Sequence, residues 1–93
     1  MDLRQLRFFL EVADSGGFTK AAEKLHIAQS ALSIAIKKLE DELEVQLFIR
    51  RDRKIALTAE GESLALNARA IFREVAKARQ EIADLRGLLR GEV

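Results

Sequence analysis

The sequence predicts a mainly α-helical fold: a winged helix-turn-helix of three helices and a two-stranded wing, followed by one long helix. Three observations predict it. No proline interrupts the 93 residues and only five are glycine, so helix should dominate. Apolar residues recur at helical spacing in the first half and again from Ala59 onward. After Glu44, and until the long helix begins, the apolar period changes to two, as in short strands.

The first helix is predicted to run from about Leu3 to Asp14. Asp2 and Gln5 have the spacing of a capping box, in which the acid and the glutamine satisfy free backbone amides. Gly16 and Gly17 should end the helix. Its buried face is predicted to consist of Leu3, Leu6, Phe9, Leu10 and Ala13.

A short second helix, with Thr19 as its predicted N-cap, should bury Ala21, Ala22 and Leu25. The turn at residues 26–28 then leads into a third helix at Gln29. A short helix, a tight turn and a longer helix over about residues 18–37 are typical of a helix-turn-helix.

The third helix has one apolar and one polar side. The apolar stripe, spaced by four, three and four residues, consists of Leu32, Ile36, Leu39 and Leu43. Off that stripe lie Gln29, Ser30, Ser33, Lys37 and Lys38. Small hydrogen-bonding side chains at a helix start are what the DNA major groove can accommodate, so this face is a candidate DNA-reading surface. A simpler interpretation is that these side chains are only solvated.

The wing is predicted from two alternating segments that a basic loop joins. Val45, Leu47 and Ile49 alternate with the residues at 46, 48 and 50, and Ile55 and Leu57 alternate with those at 56 and 58. Residues 50–54 carry a local charge of +3, although the whole chain is only +1. The cations that could contact phosphate or enter the minor groove are Arg50, Arg51, Arg53 and Lys54. A solvated basic turn is the alternative.

From Ala59 the chain is predicted to form one long helix capped by Thr58. An apolar stripe at alternating spacings of four and three consists of Leu64, Ala68, Ile71, Val75, Ala78, Ile82, Leu85 and Leu89. Such a helix would be a rod of about 45 Å, too long to bury the stripe against a sixty-residue domain. We therefore expect a second copy of the chain to cover it. Phe72 flanks the stripe and is expected at the same interface, whereas Leu66 lies off it and is expected to help dock the helix on the domain.

Composition gives no support for catalysis, a metal site or a cofactor. The chain has no cysteine and a single histidine, His26, which is interpreted as a turn residue. There is no glycine-rich phosphate loop and no set of residues for nucleophilic catalysis. No apolar run is long enough to span a bilayer and no signal peptide is visible, which predicts a cytoplasmic protein.

Several segments together resemble the N-terminal DNA-binding region of LysR-type transcriptional regulators. The resemblance covers residues 1 to about 90 and is carried by the segments 3–9, 18–27, 29–33, 39–43, 47–50 and 57–61. It implies a winged helix-turn-helix at residues 1–58 and a dimerising linker helix at residues 59–93. Members usually continue into an effector-binding domain that also builds a tetramer, and that domain is absent from this sequence.

The resemblance also implies roles for individual residues. Gln29, Ser30, Ser33 and Ile34 would face base edges, and Arg53 would approach the minor groove. Thr19, Lys37 and Arg50 would lie near phosphates. Three positions depart from the family pattern: Ser30 replaces a frequent proline, Ile34 a frequent arginine, and Glu44 the usual glycine after the reading helix.

The function that follows is sequence-specific binding of double-stranded DNA by a bacterial regulator. The expected form is a homodimer on an interrupted dyad near a promoter, associated with the nucleoid when bound. A small-molecule effector would act only through the absent domain. The alternatives are a helical module that recruits another protein through the stripe and, with little support, an enzyme.

The charges that flank the stripe raise a question of orientation. Glu74 and Glu81 lie on one side of it, and Arg79 and Arg86 lie on the other. Opposite charges would face each other in a parallel pair of helices, whereas the resemblance implies antiparallel linkers, which would bring like charges together. We follow the resemblance, because exposed ion pairs contribute only about 0–1 kcal/mol each.

Overall fold

The first helix begins at a capping box and ends at a left-handed glycine. In the computed structural model, which describes residues 1–52 and 54–89, α1 spans Leu3–Ser15. The Asp2 carboxylate accepts a hydrogen bond from the Gln5 amide at 2.7 Å, and the Gln5 side chain accepts one from the Asp2 amide. Gly16 has φ of 74°, a conformation that glycine adopts at low cost. The predicted start and end of this helix are therefore confirmed.

The buried face of α1 differs from the prediction at its first residue. Leu6, Phe9 and Val12 are buried, whereas Leu3 is 47 % exposed. At 100° per residue, Leu3 lies about 120° around the helix from Phe9, outside a stripe that is centred on the core. Val12, which the prediction omitted, takes the place of Leu3.

The second helix, α2, spans Phe18–Leu25 and begins at Gly17, so the prediction of Thr19 as its N-cap is wrong. Phe18 packs edge-on against Phe48 with ring centroids 6.0 Å apart, which holds Phe18 inside the first turn. His26 closes the helix in the left-handed conformation, as a turn residue.

The third helix, α3, spans Gln29–Leu43, and its inner side forms the centre of the core. Leu32, Ile36 and Leu39 are buried, whereas Leu43 at the end of the stripe is partly exposed. Glu44 ends the helix with φ of 57°, so a residue with a side chain adopts the left-handed conformation that glycine most often supplies at a helix end. The core cluster consists of Phe9, Val12, Ala21, Ala22, Leu32, Ile36, Leu39, Leu47 and Ala65.

The wing is a two-stranded antiparallel hairpin of β1, Phe48–Arg51, and β2, Lys54–Leu57. The first strand begins three residues later than the alternation suggested. Leu47 is 1 % exposed and precedes the strand, because its amide donates to the Glu40 carboxylate at 2.7 Å instead of to a neighbouring strand. The basic residues also lie mostly in the strands and not in the connecting turn.

The last helix, α4, spans Ala59–Leu89, and the Thr58 hydroxyl caps it by accepting from the Gly61 amide. Small residues dock its first turns on the core: Gly61, Ala65 and Ala68 are buried. Leu66, predicted to dock, is 70 % exposed, because it points away from the side on which those three residues lie. No helix among the described residues combines the length and hydropathy needed to cross a membrane.

Side-chain contacts between α1 and α4 hold the long helix at a fixed angle to the domain. The Arg69 guanidinium forms a salt bridge of 2.6 Å with the Asp14 carboxylate. The Arg7 guanidinium lies over the Phe72 ring, 4.6 Å from its centroid. Phe72, which the sequence assigned to the dimer interface, thus already has a partner within its own chain.

Replacing Gly61 by alanine should destabilise the junction between α4 and the wing. A Cβ atom there would collide with the Leu47 backbone carbonyl oxygen and lie 2.9 Å from the Leu57 side chain. We expect Gly61→Ala to lower the free energy of unfolding in urea by about 1–3 kcal/mol, despite the better helix propensity of alanine.

Gly17→Ser is the matched control, because no atom lies within 4 Å of a Cβ at that position and serine is a favourable N-cap. Equal urea midpoints for the two variants would contradict the close approach at Gly61.

Candidate nucleic-acid interface

The start of α3 presents polar side chains to solvent on a helix that the core holds firmly. Gln29, Ser30 and Ser33 are exposed, and Ile34 is 57 % exposed among them. The opposite side of the same helix carries Leu32 and the rest of the buried stripe. Because both sides belong to one rigid helix, burial of the stripe orients the exposed side chains outward. The four predicted base-reading residues therefore lie together on one face.

Gln29 is positioned by the preceding helix. The Thr19 hydroxyl donates a hydrogen bond of 3.2 Å to the side-chain oxygen of Gln29. This leaves the amide NH₂ group of Gln29 free to donate, together with the second lone pair of its oxygen. Thr19, which the family resemblance placed near phosphate, is thus a neighbour of the first base-reading candidate. Its position in the first turn of α2 makes this contact possible.

The first turn of α3 has no side-chain cap. Ala28 occupies the N-cap position, and its methyl group cannot accept a hydrogen bond from the following amides. Free amides at a helix start, together with the helix dipole, favour an anion nearby. This end of α3 therefore suits a phosphate, alongside the hydroxyls of Thr19 and Ser30.

Two lysines continue the exposed face toward the middle of α3. Lys37 and Lys38 are both exposed, and the Lys37 ammonium lies 2.9 Å from the Asp41 carboxylate. This hydrogen bond and the charge of Asp41 raise the pKa of the Lys37 ammonium above its ordinary value. Lys38 has no carboxylate partner among the described salt bridges. It is therefore the freer phosphate candidate of the two.

A cation that the sequence reasoning missed lies beside this face. Arg4 of α1 stacks over the Phe8 ring at 5.2 Å and lines one depression together with Ile34 and Lys38. The helical pattern of α1 gave no sign that Arg4 lies near Ile34 and Lys38, because that proximity depends on how α1 crosses α3. The four-residue spacing from Arg4 to Phe8 was the only sequence signal.

The wing presents three exposed cations among the described residues. Arg50 and Arg51 lie in β1 and Lys54 begins β2, while Asp52 forms the described part of the turn. Arg53, predicted to approach the minor groove, lies outside the described residues. Arg51 and Lys54 stand opposite each other in the hairpin register, so like charges repel across the strands. A bound anion would relieve that repulsion.

Acids near the end of α3 hold neighbouring elements. Glu40 accepts from the Leu47 amide, and the Met1 ammonium forms a salt bridge of 2.6 Å with Glu42. The periodicity of α3 could not reveal these roles, which require knowing where the chain turns next. The described residues contain no group of three potential metal ligands.

The apolar stripe of α4 is exposed along its second half. Ala68 is fully buried within its own chain and Leu64 packs partly against the core, so the first turns serve the domain itself. Ala68 was predicted to contact a second copy of the chain. It is completely covered within its own chain, so this prediction is wrong. Farther along, Ile71 is 36 % exposed, and Ile82, Leu85 and Leu89 are exposed more strongly. Val75 is half-buried and Ala78 exposed.

Comparison with known proteins gives one consistent family. Residues 3–62 match the family model described as bacterial regulatory helix-turn-helix protein, lysR family. The chain is 42 % identical over 93 residues to the nitrogen assimilation regulatory protein nac of Klebsiella aerogenes. It is 47 % identical over 79 residues, 85 % of the chain, to the Hca operon transcriptional activator HcaR of Escherichia coli K12. The chain spans 30 % of the length of the first relative and 27 % of the second.

Two solved structures of DNA complexes have a fold similar to that of this chain. BenM_DBD in complex with catB site 1 DNA superposes with a TM-score of 0.87 at 38 % identity, covering 92 % of this chain and 97 % of that one. CbnR_DBD in complex with DNA gives a TM-score of 0.83 at 32 % identity, covering 92 % and 99 %. In both cases the sequence, and not only the fold, is similar to that of this chain.

Arg51→Gln should stabilise the free wing, because it removes a cation that faces Lys54. We expect slower hydrogen exchange of the β1 and β2 amides at low salt, equivalent to about 0.2–1 kcal/mol. The difference should shrink at high salt, which screens the repulsion. Arg50→Gln is the matched control, since Arg50 pairs with Ile55 and faces no cation. Equal protection in the two variants would contradict the proposed repulsion.

Proposed function

The chain belongs to the LysR family of bacterial helix-turn-helix regulators, and from this premise we propose that it reads an interrupted dyad near a promoter as a homodimer. The observation that carries the proposal is the exposed polar start of α3, on a helix whose other side is buried. Each copy would place α3 in a major groove. Two copies related by a two-fold axis would reach half-sites about one helical turn apart, or a multiple of it.

We assign base reading to the start of α3 and positioning to the elements around it. Gln29 can offer both a donor and an acceptor to one base edge, most favourably to adenine. The Thr19 hydroxyl restrains its rotation, which reduces the entropy lost on binding. Ser30 and Ser33 can donate to or accept from neighbouring base edges. Ile34 supports contact with a thymine methyl group, where an arginine would have favoured guanine.

Contacts to the sugar-phosphate backbone would come from both sides of α3. Lys38 and Arg4 lie along one edge of the helix, and the wing cations Arg50, Arg51 and Lys54 belong to the other element predicted to reach DNA. Such contacts fix register and supply most of the salt-dependent affinity, without choosing the sequence. The modest total charge of +1 is compatible with this, because the acids that offset these cations are partly held in ion pairs within the chain.

Dimerisation would use the exposed part of α4. Large apolar side chains on a solvated helix require cover, and a second copy supplies the same stripe. An alternative with support from the same observation is that α4 recruits a different protein. That alternative makes no use of the outer face of α3. Effector binding and tetramer formation would depend on the larger part of such regulators that lies outside the match.

Gln29→Ala should lose affinity at one base pair of each half-site. On a duplex that the parent chain selects, we expect a cost of about 1–3 kcal/mol for each half-site. Single-base substitutions measured by fluorescence anisotropy should then show relaxed preference at that position only. Thr19→Val should weaken discrimination in the same direction and by less, because Gln29 remains but is no longer restrained. If Gln29→Ala discriminated among duplexes as the parent does, α3 would not read bases through this residue.

Lys54→Gln should weaken binding to all duplexes alike. Each phosphate that the variant no longer neutralises should reduce the slope of log affinity against log salt by about one. Lys77→Gln is the control, because Lys77 lies on α4 far from the wing and pairs with Glu81. A slope unchanged by Lys54→Gln would remove this residue from the interface.

A further inference from the structure

An acidic residue stands at the unfavourable end of α1. Asp14 lies in the last turn of that helix, and no basic residue of the same turn offsets its charge. A carboxylate near a helix C-terminus is repelled by the helix dipole, so Asp14 does not stabilise α1 itself. Its partner comes from α4: the Arg69 guanidinium donates two hydrogen bonds to the Asp14 carboxylate, at 2.6 and 3.4 Å. Asp14 therefore serves a contact between two helices.

A second contact between α1 and α4 uses the one aromatic residue of α4. Phe72 is half-buried, yet it is not among the described residues that pack against the core cluster. Its partner is the Arg7 guanidinium, 4.6 Å from the ring centroid, which is the geometry of a cation–π contact. We call this contact and the Arg69–Asp14 salt bridge together the clasp.

The clasp crosses a gap that close packing leaves open. Among the described residues of α4, Ala68 is the last that is buried. One depression, lined by Leu10, Arg69 and Phe72, separates α4 from α1, and a second continues along α4 past Phe72. Because long side chains bridge this space, the tilt of α4 depends on their contacts more than on apolar packing.

The length of α4 makes a small change in tilt large at its far end. Hydrogen bonds to Thr58 place the start of the helix, and the clasp lies about three turns farther along. The 31 residues of α4 extend over about 46 Å. A change in tilt of about 5° would move the far end by about 4 Å, a distance close to the ~3.4 Å rise of one DNA base pair.

The clasp suits a positional role better than a stabilising one. The side chains of Arg69 and Asp14 are 45 % and 51 % exposed, and such pairs contribute little to the free energy of unfolding. The planar guanidinium nonetheless fixes the direction from which the carboxylate approaches. Arg7 and Asp14 lie seven residues, or about two turns, apart on α1. Two contacts at that separation restrict rotation of α4 across α1.

We propose that the clasp sets the distance between the two reading helices of a dimer and so determines which half-site spacing the protein selects. This rests on the homodimer and the dyad proposed above. The four residues of the clasp are positioning residues, which act through the angle of α4 and not by touching DNA. In a two-fold dimer the same tilt applies to both copies, so a change in tilt acts twice on the separation of the reading helices.

The decisive test uses duplexes that carry the half-site of the parent chain twice, inverted, with the spacer varied one base pair at a time. Fluorescence anisotropy should show one preferred spacing for the parent. Arg69→Gln should reduce the preference over neighbouring spacings by about 3- to 10-fold, because the contact is lost in both copies. Affinity for a single half-site should stay unchanged.

Lys77→Gln is the matched control for Arg69→Gln. It removes the same charge from α4, but the partner of Lys77 is Glu81 of the same helix. This variant should keep the spacing preference of the parent. Equal preferences of Arg69→Gln and Lys77→Gln would overturn the proposal.

Combined substitutions test the two contacts of the clasp. Asp14→Asn should act as Arg69→Gln does, and the double variant should resemble either single one, because all three lack the same contact. Additive losses would overturn the assignment of these residues as a pair. Phe72→Leu, which keeps an apolar side chain but removes the ring, should reduce the preference further in the Arg69→Gln background. No further loss would overturn the part assigned to Phe72.

The tilt can also be measured without DNA, because the chain has no cysteine of its own. Nitroxide labels introduced through Glu23→Cys and Asp84→Cys would lie on exposed positions of α2 and α4. Double electron–electron resonance on labelled chains diluted with unlabelled parent should give one narrow distance within each copy. Arg69→Gln should broaden this distribution and Lys77→Gln should not. Equally narrow distributions in both variants would overturn the proposal.

Failure of the clasp can be distinguished from failure of the proposed function. If the parent chain selects no pair of half-sites, the function itself is wrong. If the parent prefers one spacing and Arg69→Gln retains that preference, only the role of the clasp is wrong.

Discussion

Burial of the inner side of α3 is the constraint on which the rest of the molecule depends. Leu32 and Leu39 are completely buried beside Phe9 and Val12 of α1. On the α2 side the chain supplies alanines, which allow two helices to approach closely. Since a helix is rigid over four turns, packing on one side determines the direction of every side chain on the other. The exposed polar start of α3 is thus a consequence of the core.

A second group of contacts connects α3 to the wing and to α4. Leu47 is its centre: its amide donates to Glu40 of α3, and its carbonyl accepts from the Thr58 amide. The Thr58 hydroxyl donates to the Gln46 carbonyl and caps α4. Because Gly61 has no side chain, α4 can pass directly over the Leu47 backbone. The relative orientation of α3, the wing cations and α4 is therefore set by a few neighbouring hydrogen bonds.

The sequence predicted the helices, the capping box and the order of a helix-turn-helix, because local patterns determine them. It also grouped the polar residues of α3 on one face, since period alone places them there. It failed where tertiary packing decides. Thr19 was assigned as a cap because it is a good one, yet packing of Phe18 begins the helix earlier. Leu66 was expected to dock, but small residues allow the closest approach. The contacts of Arg4 and Glu40 depend on how helices cross, which periodicity does not contain.

Whether two copies present the start of α3 to one duplex is tested most directly by selecting bound duplexes from a random pool. We expect enrichment of a site with two inverted half-sites, whose centres are separated by about one helical turn or a multiple of it. A pool without enrichment over bulk genomic competitor, or one that converges on a single isolated half-site, would contradict this.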